Sequence, residues 1–238
     1  MGSMADLMLS TPSGSAPSIS DHAQPGDAQL RKGFGPRVRR LHARIGKAHH
    51  QAEGMAFSRA LLEGRAQPHQ LAALIRALVP AYALLEQEGP ALAAALGATS
   101  IPWQALGRST ALQHDLATLS ALPATPPSAA AAIWLEQLKL LARQSPHRLM
   151  AHVYVRYGGD LSGGQQLAEQ ANAILRAHQL PALNFWAFGS DITGLKQALH
   201  GGFEAMDLSP VEEEELLDEA ELAFQATQRL LAELADQP

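Results

Sequence analysis

Apolar residues recur at every third or fourth position over most of this 238-residue chain, which is the spacing of an amphipathic helix. The first such stretch spans residues 36–62. Pro36 fits its first turn, where the missing N–H costs nothing, and Gly64 follows its end. The same spacing predicts further helices over about 70–86, after residue 90, over about 108–119, over 129–144, and over 146–178 with an interruption by glycines.

The end of the chain gives the clearest helix prediction. Ser209 is a good N-cap, Pro210 fits the first helical position and Glu212 completes a capping box. Behind them runs an apolar stripe formed by Leu216, Ala220, Ala223, Phe224, Thr227, Leu230, Leu231 and Leu234. No stretch shows the strict alternation of a half-buried strand. The pattern therefore predicts an all-α fold.

Composition agrees with this fold class. Hydrophobic residues make up 47% and charged residues 17% of the chain, and the abundance of leucine and alanine favours helices. We expect one helical domain over residues 30–238. Residues 1–29 are rich in Ser, Pro, Gly and Asp, which predicts a disordered tail, and its opening MGSM resembles a cloning scar.

Charge and cysteine content exclude several functions. The net charge is −5 and no run of Lys and Arg is interleaved with aromatic residues, which argues against nucleic-acid binding. The chain has no cysteine, so disulfides, thiolate metal sites and a cysteine nucleophile are excluded. Neither a secretory signal nor about 18 consecutive apolar residues is found. We expect a soluble, cytoplasmic protein without membrane contact.

The most unusual stretch has four glycines in seven residues, from Gly158 to Gly164, and is called the glycine-rich segment below. Each glycine inside a helix costs about 1 kcal/mol relative to alanine. Such a cluster therefore indicates a bend or a close approach to something flat. The P-loop Lys-Ser/Thr is missing, and Ser162 does not stand in a G-x-S-x-G nucleophile elbow. A plain loop remains the alternative, although the flanks are helical and apolar.

His49 and His50 lie in the middle of the first predicted helix. Neighbouring residues on a helix point about 100° apart, so only one of them can face a given pocket. His49 is on the apolar side, with Glu53 one turn later, where a carboxylate can hold one ring nitrogen and leave the other for a metal. One histidine is too few for zinc but sufficient as an axial ligand of haem (heme) iron. A surface or core-edge histidine is the alternative.

Two further groups of residues are weaker candidates. Tyr154, Arg156 and Tyr157 precede the glycines, but tyrosines at this spacing are also typical of a core. Lys196 and His200 lie one turn apart on another predicted helix, which suits a pair of anion contacts as well as an ordinary surface.

Several segments resemble the biliverdin-producing haem (heme) oxygenases of bacterial type. AHVYVRYGGDLSGGQ, residues 151–165, resembles the distal-helix signature of that family, and HHQAE, residues 49–53, resembles its proximal segment. The resemblance covers about residues 41–234, and it also includes LVPAYALLEQE, the R-x-x-A-L-x-x-D-L pattern from Arg108, NFWAF and the final helix.

The resemblance implies a single-domain helical fold with heme between a proximal helix, about 36–62, and a kinked, glycine-rich distal helix, about 146–178. It implies that His49 is the axial ligand of the heme iron. Gly159 and Gly163 would let the distal backbone approach the heme, and Asp160 would hold a water chain that brings protons to dioxygen. The other heme-binding residues that it implies are Glu53, Tyr154, Arg156, Ser162, Gly164, Lys196 and His200.

The implied activity is oxidative cleavage of heme at a meso carbon to biliverdin, CO and Fe²⁺. Heme b would be both substrate and prosthetic group, with O₂ as co-substrate. Electrons would come from a ferredoxin or an NAD(P)H-dependent reductase, and a bacteriophytochrome is one conceivable acceptor of biliverdin. A heme carrier or sensor on the same fold is the alternative, and a relative acting on another small molecule or a di-iron centre is a remote one.

The chain departs from the family where the heme propionates are expected to bind. Family members often have basic residues seven and three positions before the proximal histidine, and here these are His42 and Gly46. Lys196 matches, but His200 stands where arginine is common. The propionates, which fix the rotation of the heme, would need other partners, and a preference for the α-meso carbon rests on family frequency alone. The candidate partners are Arg44, Lys47, Arg156 and Lys196.

Overall fold

The computed structural model describes residues 34–189 and 191–236, and every regular element in these two ranges is a helix. The all-α prediction is therefore confirmed. The predicted disordered tail and cloning scar lie outside the described residues. The helices are α1 (Pro36–Glu53), α2 (Ala56–Leu62), α3 (Pro68–Ala95), α4 (Trp103–Leu106), α5 (Ser109–Thr118), α6 (Ala129–Gln144), α7 (Pro146–Leu161), α8 (Gly164–Ala177), α9 (Ile192–Glu204) and α10 (Pro210–Ala235).

The stretch predicted as one helix over 36–62 forms two helices. Helix α1 ends at Glu53 and α2 begins at Ala56, with Gly54 as the C-cap of α1. Gly64 follows α2 with a φ of +69°, a left-handed conformation that glycine adopts without steric cost. The predicted stop at this glycine is thus confirmed, while the continuity across Gly54 was wrong.

Helix α3 is longer than its pattern predicts, because it runs through Pro80 and Pro90 to Ala95. A proline inside a helix removes one backbone hydrogen bond and usually ends or kinks the helix. Here α3 packs against α5, α6 and α7, and this packing outweighs the local loss. Gly89 lies so close to Trp103 that a Cβ would come within 2.3 Å of the indole.

Helix α10 begins as the sequence predicts. The hydroxyl of Ser209 accepts a hydrogen bond from the backbone N–H of Glu212 at 3.3 Å, and the Glu212 carboxylate accepts one from the N–H of Ser209 at 2.8 Å. The capping box is confirmed. The apolar face of α10 then packs against α1, α3, α6 and α7, which makes this helix the centre of the bundle.

Helices α1 and α7 share two packing partners. Both helices pack against α9 and α10, but in the ranges that the structure describes they have at most sparse contact with each other. Helix α7 ends at Leu161 and α8 begins at Gly164, which confirms the predicted interruption by glycines. Among the described helices, none is long and apolar enough to cross a membrane.

Candidate functional site

His49 lies on α1, one turn before the end of the helix at Glu53. Its side chain is 50% exposed and packs edge-on against Phe224, whereas His50 is 78% exposed. The Nδ1 of His49 is 3.5 Å from Oε1 of Glu53, and this buried carboxylate oxygen has no hydrogen-bond partner. A small rotation would let His49 donate its Nδ1–H to Glu53 and leave Nε2 as a metal ligand. The geometry favours His49 over His50 for that role.

The glycine-rich segment offers bare backbone at the end of α7. A Cβ built on Gly158 or on Gly159 would meet no atom within 4 Å, so both glycines border open space. Gly163 has ordinary helical angles, with φ −69° and ψ −21°, and Ser162 is exposed. The open backbone at Gly159 fits its predicted role, because a flat ligand can lie against a helix that lacks side chains there.

The absence of a side chain at Gly164 has a different reason. A Cβ at this position would come within 2.7 Å of Cδ1 of Trp186, so the glycine makes room for a buried indole rather than for a ligand. The family resemblance implies a heme contact at this residue. In this arrangement Gly164 affects the site through Trp186.

Asp160 is 4% exposed and belongs to a polar cluster between α3 and α7. The Tyr82 hydroxyl donates a hydrogen bond to its Oδ2 at 2.5 Å, and the Tyr82 oxygen accepts one from Nε of Arg156 at 3.1 Å. Nη2 of Arg156 is 3.8 Å from Oδ1 of Asp160. Burial raises the pKa of Asp160, while Arg156 and the hydrogen bond from Tyr82 partly oppose that rise. A buried carboxyl with a raised pKa can take up and release a proton.

Glu86 and Tyr157 extend this cluster away from the glycines. The Tyr157 hydroxyl donates to Oε1 of Glu86 at 3.0 Å, and Glu86 also accepts the backbone N–H groups of Arg108 and Ser109 where α5 begins. Burial, with the Glu86 charge in addition, raises the pKa of Tyr157 well above its ordinary value. This hydroxyl therefore stays protonated and acts as a donor.

The non-helical segment 182–189 forms a wall beside Asp160. Oδ2 of Asp115 accepts the backbone N–H of Phe185 at 2.8 Å, and Nη1 of Arg108 donates to the carbonyl of Ala187 at 2.9 Å. These contacts hold Trp186, whose indole is near enough to Asp160 to lower the pKa of that carboxyl. The wall is thus a neighbour of the catalytic candidate.

A second cluster, called the imidazole cluster below, consists of His42, Tyr154, Lys196 and His200. The ring centroids of His42 and Tyr154 are 6.2 Å apart, and those of Tyr154 and His200 are 6.1 Å apart. The Tyr154 hydroxyl and Nδ1 of His200 are buried and have no hydrogen-bond partner. An unsatisfied buried polar atom costs about 1–3 kcal/mol. Such atoms require an explanation, and a ligand that supplies the missing partners is one.

Two predicted anchoring residues lie away from the imidazole cluster. Arg44 pairs with Glu214 and Asp218 on α10, so its charge is engaged there. Arg156 is turned towards Asp160 and Tyr82. Lys196 is 9% exposed on α9 and lowers the pKa of the neighbouring His200. Lys196 and His200 are therefore the expected residues that the structure brings together.

Sequence reasoning missed Tyr82, Glu86 and Trp186 as members of the site. Tyr82 and Glu86 lie one turn apart in a mostly apolar helix, which is a signal that could have marked them as paired polar groups facing one direction. Trp186 had no such signal, because it lies in an irregular segment and reaches Gly164 only through the tertiary fold.

The residues that border the space between α1 and α7 fit heme. His49 offers one imidazole nitrogen for iron, and Gly158 and Gly159 leave a flat surface on the opposite helix. Tyr154 and His200 present polar atoms that lack partners, as the carboxylates of a porphyrin require. The chemistry of each group agrees with one part of the heme molecule.

Comparison with known proteins agrees with this fit to heme. A sequence model of the family described as heme oxygenase matches residues 38–233. A heme oxygenase from Pyropia yezoensis is 27% identical over 199 residues, covering 79% of this chain and 81% of the relative. The structure of heme oxygenase from Leptospira interrogans aligns with a TM-score of 0.75 at 28% identity, covering 84% of this chain and 100% of that one. Heme oxygenase-1 from Synechocystis, solved in complex with heme, gives a TM-score of 0.77 at 25% identity, covering 84% and 92%.

The fold places this protein among the all-helical proteins, in the same structural class as these heme oxygenases. Within that class, the chain belongs to the heme oxygenase family.

Proposed function

We propose that this protein cleaves heme oxidatively at a meso carbon and releases biliverdin, CO and Fe²⁺. The observation that carries the proposal is the buried Asp160, hydrogen-bonded to Tyr82 and placed directly after the open backbone of Gly158 and Gly159. A protein that only stores heme has no need for a titratable carboxyl at this position. Oxygen activation, in contrast, consumes protons and needs a group that delivers them.

His49 and Glu53 would hold the iron from the proximal side. Glu53 would fix the ring of His49 by accepting the Nδ1 hydrogen, which directs Nε2 towards the iron. Heme, when bound, supplies the iron that activates O₂ and the meso carbon that is oxidised. A neutral imidazole is a weaker electron donor than a thiolate, so His49 as ligand would promote cleavage of an O–O bond less strongly.

Asp160 would organise water on the distal side and pass protons to dioxygen. Burial raises its pKa, and Tyr82 and Arg156 hold the carboxylate in one orientation. Gly159 would admit dioxygen beside the helix backbone, and Gly163 is assigned the same role because it lies one turn later. Ser162 would contribute only through the shape of the interruption between α7 and α8, and Gly164 through the room that it leaves for Trp186.

Electrons would come from an external donor, either a ferredoxin or an NAD(P)H-dependent reductase. Iron acquisition and supply of biliverdin to a bacteriophytochrome are both compatible with the reaction. We propose that the protein works in the cytoplasm as a single helical domain over residues 30–238. The chemistry supports α-meso cleavage no more strongly than cleavage at another meso carbon.

An absorption time course tests the proposed function. The purified protein is mixed with equimolar hemin, and a reductant is added in air with catalase present to remove free peroxide. Loss of the Soret band with growth of a broad red band is the expected result, and the extracted biliverdin identifies the carbon attacked. A Soret band that shifts but persists would instead support a heme carrier or sensor.

A further inference from the structure

The imidazole cluster closes one end of the space between α1 and α7. His42 precedes His49 by seven residues, which is two turns and about 10.5 Å along the axis of α1. Tyr154 precedes Gly158 by one turn on α7. The rings of His42 and Tyr154 are 6.2 Å apart, so they meet across the gap. The offset of about 10 Å from His49 is comparable to that between a heme iron and its propionate carboxylates.

His200 completes the closed end from α9. Its ring is edge-on to Phe34 at 4.6 Å and lies 6.3 Å from the ring of His42. Its Nδ1 and the Tyr154 hydroxyl are the buried polar atoms without partners in this cluster. A carboxylate oxygen placed between them would accept a hydrogen bond from each, provided that Nδ1 carries a hydrogen.

We propose that His200, with His42 beside it, binds a heme propionate as a protonated imidazole, so that heme binding takes up a proton and weakens as the pH rises. The inference rests on the heme site proposed above and adds a regulation to it. A lysine or arginine at such a position would carry its charge at every physiological pH. An imidazole carries it only when the ligand stabilises it.

The surroundings of His200 keep its imidazole neutral before the ligand arrives. Burial, the His42 ring and the Lys196 ammonium together lower the pKa of His200 to about 4. At neutral pH the ring is therefore uncharged. A propionate beside Nδ1 supplies the opposite charge, and this raises the pKa of the ring in the complex.

The remaining charged groups near the cluster do not replace that carboxylate. Glu204, one turn after His200 on α9, accepts the backbone N–H of Val38 at 2.7 Å and that of Arg37 at 3.3 Å. The guanidinium of Arg37 donates to the carbonyls of Phe203 and Met206, both at 2.7 Å, and pairs with Glu213. The acid and the guanidinium are thus engaged at the start of α1. The Tyr154 hydroxyl is neutral because burial raises its pKa.

The test separates carboxylate binding from iron ligation. Affinity for metal-free protoporphyrin IX is measured by fluorescence quenching from pH 6.5 to 8.5, with the protoporphyrin dimethyl ester as a ligand without carboxylates. Proton uptake is measured in parallel with an indicator dye in weak buffer. The protein variants are His200→Arg and, as a matched control, His178→Arg, which changes an exposed histidine outside the cluster.

For the wild type we expect the affinity for protoporphyrin to fall by up to about tenfold per pH unit, with uptake of about one proton. The His200→Arg variant should bind as tightly at pH 8.5 as the wild type does at pH 6.5, and should take up no proton. The control variant should behave as the wild type. The dimethyl ester should bind with no dependence on pH.

Two results would overturn the inference, and they differ from failure of the proposed function. A wild-type affinity that is constant across the pH range, or a proton uptake unchanged in His200→Arg, removes the role of the imidazole while leaving heme binding intact. The uptake measurement on the wild type needs no variant to fold. If neither porphyrin nor hemin binds at any pH, the heme site itself is wrong and the inference falls with it.

Discussion

Asp160 is the single residue on which the proposed chemistry depends most, and its substitution separates binding from catalysis. Asp160→Ala removes the carboxyl that would organise water but touches neither His49 nor the imidazole cluster. We expect heme affinity within about threefold of the wild type and a rate of biliverdin formation at least about 100-fold lower. Stopped-flow absorption after hemin reconstitution measures both. Ring opening at the wild-type rate would show that the proton comes by another path.

The choice between the two adjacent histidines is also testable at this scale. Both rings lie 3.5 Å from Glu53 through Nδ1, but His49 is the less exposed of the pair and packs against Phe224. We therefore expect His49→Ala to abolish the normal iron coordination. His50→Ala serves as the matched control and should leave the ferric heme spectrum unchanged. Resonance Raman or electron paramagnetic resonance detects the axial nitrogen. A spectrum lost only in the His50 variant would reverse the assignment.

At the scale of elements, the glycines at the end of α7 leave its backbone open but make the helix less stable. Gly159→Ala places a methyl group in space that is free in the protein alone. The free energy of unfolding of the heme-free protein should rise by about 0.5–1 kcal/mol, because alanine is the better helix former. Heme affinity should fall at least tenfold, because the methyl group occupies the space of the ligand. Denaturation with urea and titration with hemin measure the two effects.

Gly201 provides the matched control for that prediction. It is exposed inside α9, and a Cβ there meets only Ser100 Oγ, at 4.0 Å. Gly201→Ala should therefore give the same gain in stability with unchanged heme affinity. If Gly159→Ala and Gly201→Ala bind heme equally well, the space beside Gly159 is not where the ligand lies.

The sequence predicted those elements whose ends are set by neighbours along the chain. The capping box of Ser209 and Glu212 and the stop at Gly64 depend on residues within one turn, so the pattern suffices. It failed for α3, because packing against three other helices decides that the helix continues through Pro80 and Pro90. Local propensity carries no information about that packing.

The site residues also fall into two groups, those that the sequence predicted and those that it did not. The glycines, His49 and Asp160 were recognisable because they lie in short local motifs. The partners of Asp160 were not, since Tyr82 is 78 residues away in sequence and Trp186 belongs to an irregular segment. Only the fold brings these three side chains together.

At the scale of the whole molecule, buried histidines make the stability of the heme-free protein depend on pH. Burial lowers the pKa of His152 and that of His200, the latter to about 4. The unfolded chain, with histidine pKa values of about 6.5, therefore binds more protons than the folded one below that pH. The stability that these neutral rings provide is complete above about pH 6.5 and is lost as the pH falls.

Urea denaturation of the heme-free protein at pH 7.5 and pH 5 measures this dependence. The His200→Gln variant isolates the contribution of His200 to it. The wild type should lose of the order of 1–2 kcal/mol more than the variant between these pH values, since only the wild type has an imidazole that resists protonation at position 200. Protonation of Asp160, whose pKa burial raises, acts in the opposite direction and is common to both proteins. Parallel curves for the two proteins would contradict the prediction.

The wall formed by residues 182–189 has a consequence for the order in which the protein folds. Several of its backbone groups find their partners in Asp115 and Arg108 at α5 and in Gln165 and Asn172 on α8, rather than within a helix of its own. The segment can therefore become ordered only after α5 and α8 have docked, and Trp186 reaches Asp160 later than the helices form. In a refolding experiment the change in Trp186 fluorescence should lag behind the recovery of helical circular dichroism. The lag should disappear in a Trp186→Phe variant.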